Sequence, residues 1–390
     1  MPRVEIKEKW KLALLLLILA VYTVFAYSVS RHQAYYNPYS LSGNDQISFE
    51  QASVISVDSE STKKDEIHPE LLVGSQNVTV KILTGNFQGR SYHIVNNLNY
   101  DTNYKLNAGQ TIIVSVSATG DGGTVNINPN SPHRTPYLYA MAVLFVLLLC
   151  FVGGKRGFQS VVAIGFTMTS VIFIFVPLLY HGLSPAAAVL IFSAATSCVT
   201  LPLVGGIERK TLIAILGTIG GVAVSAGIAQ IFSCLTQTSG YTFSDTDSLL
   251  AISSHSGLKV GSLFFAAVLI SSLGAVMDVA ISVASSINEI YRSNPETDAP
   301  TLFASGMNVG RDMMGTMANT LILAFTGSSL VMMIQIYTYN MPYQQVMNSN
   351  HIAAEIIQAL AGSSAVVLTV PLVSLLSAKL MPLLEKPKSA

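Results

Sequence analysis

From Pro136 almost to its end the chain is apolar, broken only by short polar connections. Runs of about 20 apolar residues match the roughly 30 Å hydrocarbon layer of a bilayer, and no water-soluble core needs several in succession. Candidate spans fall at 137–153, 157–180, 185–204, 211–233, 258–278, 313–338 and 356–381. Pro371 lies inside the last of these, where membrane helices tolerate proline if neighbours satisfy the freed carbonyl.

Composition supports the same class. The 390 residues are 51% hydrophobic and 11% charged, against about 25% charged in soluble domains, and the mean hydropathy is +0.51. These values exclude an ordinary soluble enzyme and a disordered chain. Twenty-one Lys+Arg balance 21 Asp+Glu, so nothing points to nucleic acid. Cys150, Cys198 and Cys234 lie in or at the end of apolar stretches. Their spacing to histidines resembles no metal site, and no cofactor is expected.

Ahead of these spans, Leu12 to Tyr27 follows the basic cluster Lys7, Lys9 and Lys11. The flank and Ala26-Tyr27-Ser28 resemble a secretory signal. Extended to Val29 the run reaches 18 residues, enough for a tilted span, so a retained anchor is expected and the count becomes about eight.

Residues 31–135 are polar and carry strand signals. Asn77 to Ile82 alternates, and Ile112, Val114 and Val116 alternate with Ile113, Ser115 and Ser117. Gly85 to Gly89 reads as a hairpin connection and Gly120 to Gly123 as a second turn. Five strands are expected near 52–58, 77–83, 90–95, 111–117 and 123–128. They suggest a small barrel, OB-like or SH3-like. The expected fold is therefore an α-helical polytopic membrane protein with an inserted extracytoplasmic β-domain. Residues 1–30 form the basic N-terminus and first helix, 31–135 the β-domain, 136–384 a seven-helix membrane domain and 385–390 a cytoplasmic tail.

Charge placement sets the expected orientation. With Lys7 inside, alternation places Lys155/Arg156, Arg209/Lys210, Arg292, Arg311 and Lys386/Lys388 inside as well. The connections 181–184, 234–257 and 339–355 hold no Lys or Arg. Only Lys259 is ambiguous. This asymmetry puts both termini in the cytoplasm and the β-domain outside, in a bacterial cell membrane.

Polar chemistry enters the apolar part at two places. Asp278, Ser282, Ser285 and Glu289 recur at spacings of four, three and four, so they share a helical face beside a stripe of Val279, Val283, Ile287 and Ile290. Asn294-Pro295 ends that helix. On the next helix Asn308, Asp312, Gly315 and Asn319 repeat the same spacing, with Arg311 and Thr316 alongside. A site built from Asp278, Asn308, Arg311, Asp312 and Asn319 is expected to carry net negative charge and suit a proton or metal cation, with Arg311 as counter-charge. The plain alternative is interfacial solvation, or an arginine that staples two helix ends. Gly306, Gly310 and Gly315, and Gly217 and Gly221 in the GxxxG spacing, read as close helix packing. His181 and His255 fall in loops, where a solvated histidine is the simplest reading.

The segments GAVMDVAISVASSINEI (Gly274–Ile290) and SGMNVGRDMMGTMANTLILAF (Ser305–Phe325) resemble the bacterial YibE/F family of multi-spanning membrane proteins. The resemblance also takes in the basic anchor, the external strand region and the VGGKRG turn, and it implies the same arrangement of domains. It supplies no catalytic residues.

Three function classes remain. A transporter or permease component for a small solute or cation fits the spans and paired polar helices, though no GxxxxGK[ST] loop powers it from this chain. An envelope scaffold or sensor would bind a partner through residues 31–135. An intramembrane aspartyl protease would need Asp278 and Asp312 close enough to share a proton, and Arg311 favours ionisation instead. No enzyme is expected. The expected partners are the bilayer and either a second copy or another membrane protein.

Overall fold

The computed structural model describes residues 46–100, 102–118, 125–242 and 246–383. These fall into two compact units, the first ending at Leu148 and the second beginning at Leu149. The proposed anchor at 12–29 and the turn at Gly120 to Gly123 lie outside the described residues.

The first unit holds five antiparallel strands, β1 Gln46–Lys64, β2 Leu72–Ile82, β3 Ser91–Leu98, β4 Thr111–Ala118 and β5 Val125–Pro132. All five coincide with the sequence signals, and β1 runs well beyond its expected 52–58. Their order is β3-β2-β1-β4-β5, and β3 also approaches β5, so the sheet curls into a half-barrel. The length of β1 makes this possible. Its first half pairs with β4, Gln46 opposite Ala118, and its second half pairs with β2, Lys64 opposite Leu72. Register shifts at Val54/Ser56 and Val57/Ser59 bend it between the two. Opposite Thr62 of β1, Gly74 of β2 has φ 128° and a Cβ there would overlap Ser61 O, so only glycine fits.

Alternation decides the core of this unit. Val78, Val80 and Ile82 face Ile112, Val114 and Val116 with Ala52 and Val54, all buried. The 99–110 connection closes over them with Leu106, which is also fully buried. Its backbone is held by side chains. Gln76 Oε1 accepts from the Leu106 amide at 2.9 Å and from Asn96 Nδ2 at 3.2 Å. Gln76 Nε2 donates to Leu106 O and to Glu60 Oε2, both at 3.3 Å. Asn103 pairs with Leu72 through both its amide groups. Buried amides with every group partnered fix a connection more firmly than apolar contact alone.

The helices follow. α1, Thr135–Ser170, passes through a π-helical turn at Val171–Phe175 into α2, Val176–Tyr180. The wide turn precedes Pro177, whose ring would otherwise strike the carbonyl four residues back. α3 spans Pro185–Gly205, α4 Arg209–Thr236, α5 Thr246–Ser254, α6 Leu263–Ser293, α7 Ala299–Ser328, α8 Leu330–Thr338, α9 Tyr343–Met347 and α10 Asn350–Leu383. Among the described residues five helices are long and apolar enough to cross a membrane, or six if α7 and α8, bent by 63°, are one span. The bend follows the Gly327-Ser328-Ser329 sequence, where glycine and serine pairs commonly kink helices.

The expected 137–153 and 157–180 fall within one 46-residue stretch, Thr135–Tyr180. It is not straight. Gly154 has φ 53° and ψ −129°, and a Cβ on Gly157 would overlap Leu149 O. Eight residues of straight helix would separate that pair by about 12 Å, so the chain folds back on itself there.

In the second unit α10 packs against α4, α6 and α7, and α6 packs against α3 and α4 as well. The core lies between them, with Val276, Val279, Ala280, Val283 and Ile287 of α6 buried against Ala365, Val366, Val370 and Val373 of α10. The hydrophobic face read beside Asp278 is thus the face turned to the bundle.

Candidate functional site

Small residues let these helices meet closely. A Cβ on Gly217 would overlap Val373 Cγ2, and one on Gly221 would overlap Thr369 Oγ1 and lie 2.9 Å from Val276 Cγ1. On α7 a Cβ on Gly306 would come within 2.5 Å of Ile287 Cδ1 and 2.6 Å of Ser374 Oγ, and one on Gly310 would overlap Val370 Cγ1. These four glycines replace side chains with backbone contact. Gly315 differs, because nothing lies within 4 Å of a Cβ there.

The glycine contacts fix depth along the bundle. Val276 of α6 and Thr369 of α10 both close on Gly221 of α4, and Gly310 of α7 meets α10 at Val370. Asp278 and the Arg311-Asp312 pair follow within two residues of those contacts. They therefore lie within about 5 Å of one another along the axis. The end of α3 is close by, since a Cβ on Gly205 would sit 3.2 Å from Ile281 Cδ1. Asp278 is thus about one helical turn from the α3–α4 connection.

Depth is shared, and so is direction. Helical spacing puts Asp278 opposite the face of α6 that buries Val276, Ala280 and Ile287, and Asp278 is exposed. Asn308, Arg311, Asp312, Gly315 and Asn319 are exposed on the side of α7 away from buried Leu302, Gly306 and Gly310, and Thr316 is exposed alongside. Two adjacent helices thus turn polar faces away from the core. Arg311 Nη1 donates to Asn308 Oδ1 at 3.4 Å and makes no ion pair with either aspartate. Asp278 and Asp312 share no hydrogen bond. Among the described residues no group of three or more His, Cys, Asp or Glu side chains is placed to hold a metal ion.

Sequence reasoning passed over a second set of polar groups. Ser197 of α3, Asn288 Nδ2 of α6, and Ser374 and Ser377 of α10 are buried without a hydrogen-bond partner among the described residues. Most other buried hydroxyls donate to the carbonyl one turn back, as Thr218 does to Ala214 at 2.8 Å and Thr369 to Ala365 at 2.7 Å. The usable signal was Ser374 and Ser377 three residues apart in an apolar helix just past Pro371.

A family model described as YibE/F-like protein matches residues 141–383, and one described as the YibE/F family N-terminal domain matches residues 49–129. No curated protein and no solved structure matches the chain. The helical bundle and the half-barrel thus correspond to the two matched regions, and the apolar helices give the protein a membrane location.

Proposed function

The chain belongs to the YibE/F family, and on that premise we propose that it is a transport component of the bacterial cell membrane, moving a small solute or cation in exchange or symport with a proton. The carrying observation is the pair of outward polar faces on α6 and α7 at one depth. Carboxylates and amides at membrane depth are costly unless they meet partners, water or a transported species. Asp278 and Asp312 take up and release the proton, and Arg311 limits the net charge of the surface. Asn308 and Asn319 offer amide donors and acceptors along the same face. The chain carries out no covalent chemistry in this reading.

In this reading the chain crosses the membrane eight times. The crossings are the anchor expected at 12–29, outside the described residues, the two legs on either side of Gly154, then α3, α4, α6, the bent pair α7–α8, and α10. The Lys/Arg asymmetry of the short loops favours both termini inside and the half-barrel outside. The strand order and the approach of β3 to β5 favour an OB-like closure. Single cysteines at 121 and 296 test this arrangement, with 121 labelled from outside and 296 only from inside. The reverse labelling overturns the orientation. Asp278→Asn and Asp312→Asn keep shape and delete charge. Full cellular function in both variants, at normal membrane levels, would sink the proton reading.

A second reading, an envelope scaffold or sensor, is favoured by the half-barrel having a hydrophobic core of its own. Such a domain can bind a wall polymer or protein. Deleting residues 46–132 without loss of cellular function excludes it.

A further inference from the structure

We infer that the outward face of α7 is the seam of a homodimer, in which α7 packs in parallel against α7 of a second copy. The inference rests on α7 crossing the membrane, as proposed above, and does not depend on transport.

The pattern is a coiled-coil seam. Ser305, Asn308, Asp312, Gly315, Asn319 and Ile322 recur at alternating spacings of three and four, the 3.5-residue repeat that keeps one stripe facing a partner helix. The stripe covers about 26 Å of helix, from the cytoplasmic end of α7 into the span expected at 313–338. Five of the six are exposed or, for Ser305, half-exposed polar or glycine positions, and Ile322 extends the line with an exposed apolar side chain. The core face of the same helix is already used, with Gly306 and Gly310 against Ile287, Ser374 and Val370.

A second copy is the occupant this chemistry fits. Two copies in one membrane related by a two-fold axis along its normal bring identical residues to the same depth. An asparagine carries donors and an acceptor together, so Asn308 and Asn319 each complement Asn308 and Asn319 of the partner subunit. Asparagine at a single seam position is also known to set register and strand number. In heptad terms Asp312 takes an a position and Arg311 the flanking g position. A residue at a inserts beside the partner's g residue, so Asp312 meets Arg311 of the partner subunit, and the reverse contact follows by symmetry. The Arg311-Asp312 pair is neutral within each copy, so joining two copies leaves no net charge at that layer. Gly315 has nothing within 4 Å of its Cβ position, and the seam gives it the close approach that Gly306 and Gly310 find inside the bundle. Apolar occupants from the same chain, 12–29 or 137–153, bring neither charge nor amide to this stripe.

Oxidative cross-linking of the full chain in native membranes tests the seam. In a background with Cys150, Cys198 and Cys234 changed to serine, single substitutions Asn308→Cys, Gly315→Cys and Asn319→Cys are compared with Leu216→Cys and Ile231→Cys. The last two are exposed on α4. A disulfide needs Cα atoms within about 7 Å, so seam cysteines give a band of twice the chain's mass and the α4 cysteines stay monomeric. Seam cysteines that cross-link no better than those on α4 overturn the inference. So do a band of any other mass and protection of the seam without a dimer. As a second arm, Arg311→Asp and Asp312→Arg in the Asn319→Cys background lose the band alone and regain it when co-expressed with different tags. Undiminished cross-linking by either variant alone, or no recovery on co-expression of variants that both accumulate, contradicts the pairing. The cysteine comparison decides where a charge variant fails to accumulate. Cross-linking reads association without transport, so a dimer that carries no proton would refute only the proposed function.

Discussion

Gly310 of α7 is pressed so closely against Val370 of α10 that a Cβ on Gly310 would overlap the Val370 Cγ1 methyl. Five residues along the same helix, Gly315 has nothing within 4 Å. Five residues turn a helix by about 500°, nearly half a revolution beyond a whole turn. The two glycines therefore mark opposite faces, one closed by the bundle and one lined by Asn308, Asp312 and Asn319.

Gly310→Leu forces that contact apart, and overpacking of this kind costs about 1–3 kcal/mol. The expected outcome is a lower thermal midpoint in detergent and less protein in the membrane. Gly315→Ala leaves the fold of a single copy intact, because a methyl group there meets nothing in the chain. Equal thermal midpoints for the two variants would contradict the packing described for α7.

Gln76→Leu removes the side chain that holds Leu106, Asn96 and Glu60 together. The Leu106 amide and the Asn96 side chain each lose a partner in a fully enclosed place, and a stranded buried polar group costs about 1–3 kcal/mol. Calorimetry of the intact protein should show the half-barrel transition lowered by roughly 4–8 °C for each kcal/mol lost. An unchanged transition would mean that the 99–110 connection is not held by this network.

Strand positions were legible because half-buried strands alternate, and Ile112, Val114 and Val116 point inward as the pattern requires. The full extent of β1 was not, since Ser56, Ser59 and Ser61 blur the alternation where the strand bends between β2 and β4. Spacing also placed Asn308, Asp312 and Asn319 on one face of α7, and the order of the spans put Asp278 at the depth of Asp312. It could not say which way that face turns, because periodicity fixes which residues share a face and only tertiary packing decides what the face meets. The same limit explains why Gly306, Gly310 and Gly315 looked alike in sequence. Ser374 and Ser377 were missed because serine is ordinary in membrane helices and bonds to its own backbone when it has no other partner.

Acid should weaken the half-barrel. Asp58 is held below the usual carboxylate range by hydrogen bonds from Ser56 and Thr79, with His93 contributing. Glu60 is lowered by Lys105, 2.7 Å away, and then by Thr62 and Gln76. Asp65 is lowered by the His68 and Ile67 amides. A depressed folded value contributes stability above the unfolded value, near pH 4, and that stability is lost as pH falls through the folded value. The half-barrel transition should therefore hold steady between pH 7 and 5 and fall below about pH 4. Asp58→Asn should flatten part of that fall, and a transition that rises on acidification would contradict these hydrogen bonds.

Proton-coupled uptake by the purified chain in sealed vesicles tests the central claim most directly. A pH-sensitive dye inside the vesicles is followed while a broad panel of small solutes and cations is added outside. The account predicts that at least one solute moves with protons, and that Asp278→Asn and Asp312→Asn bring the signal down to that of empty vesicles. Proton movement that matches the unaltered chain in both variants, or none with any solute, contradicts it.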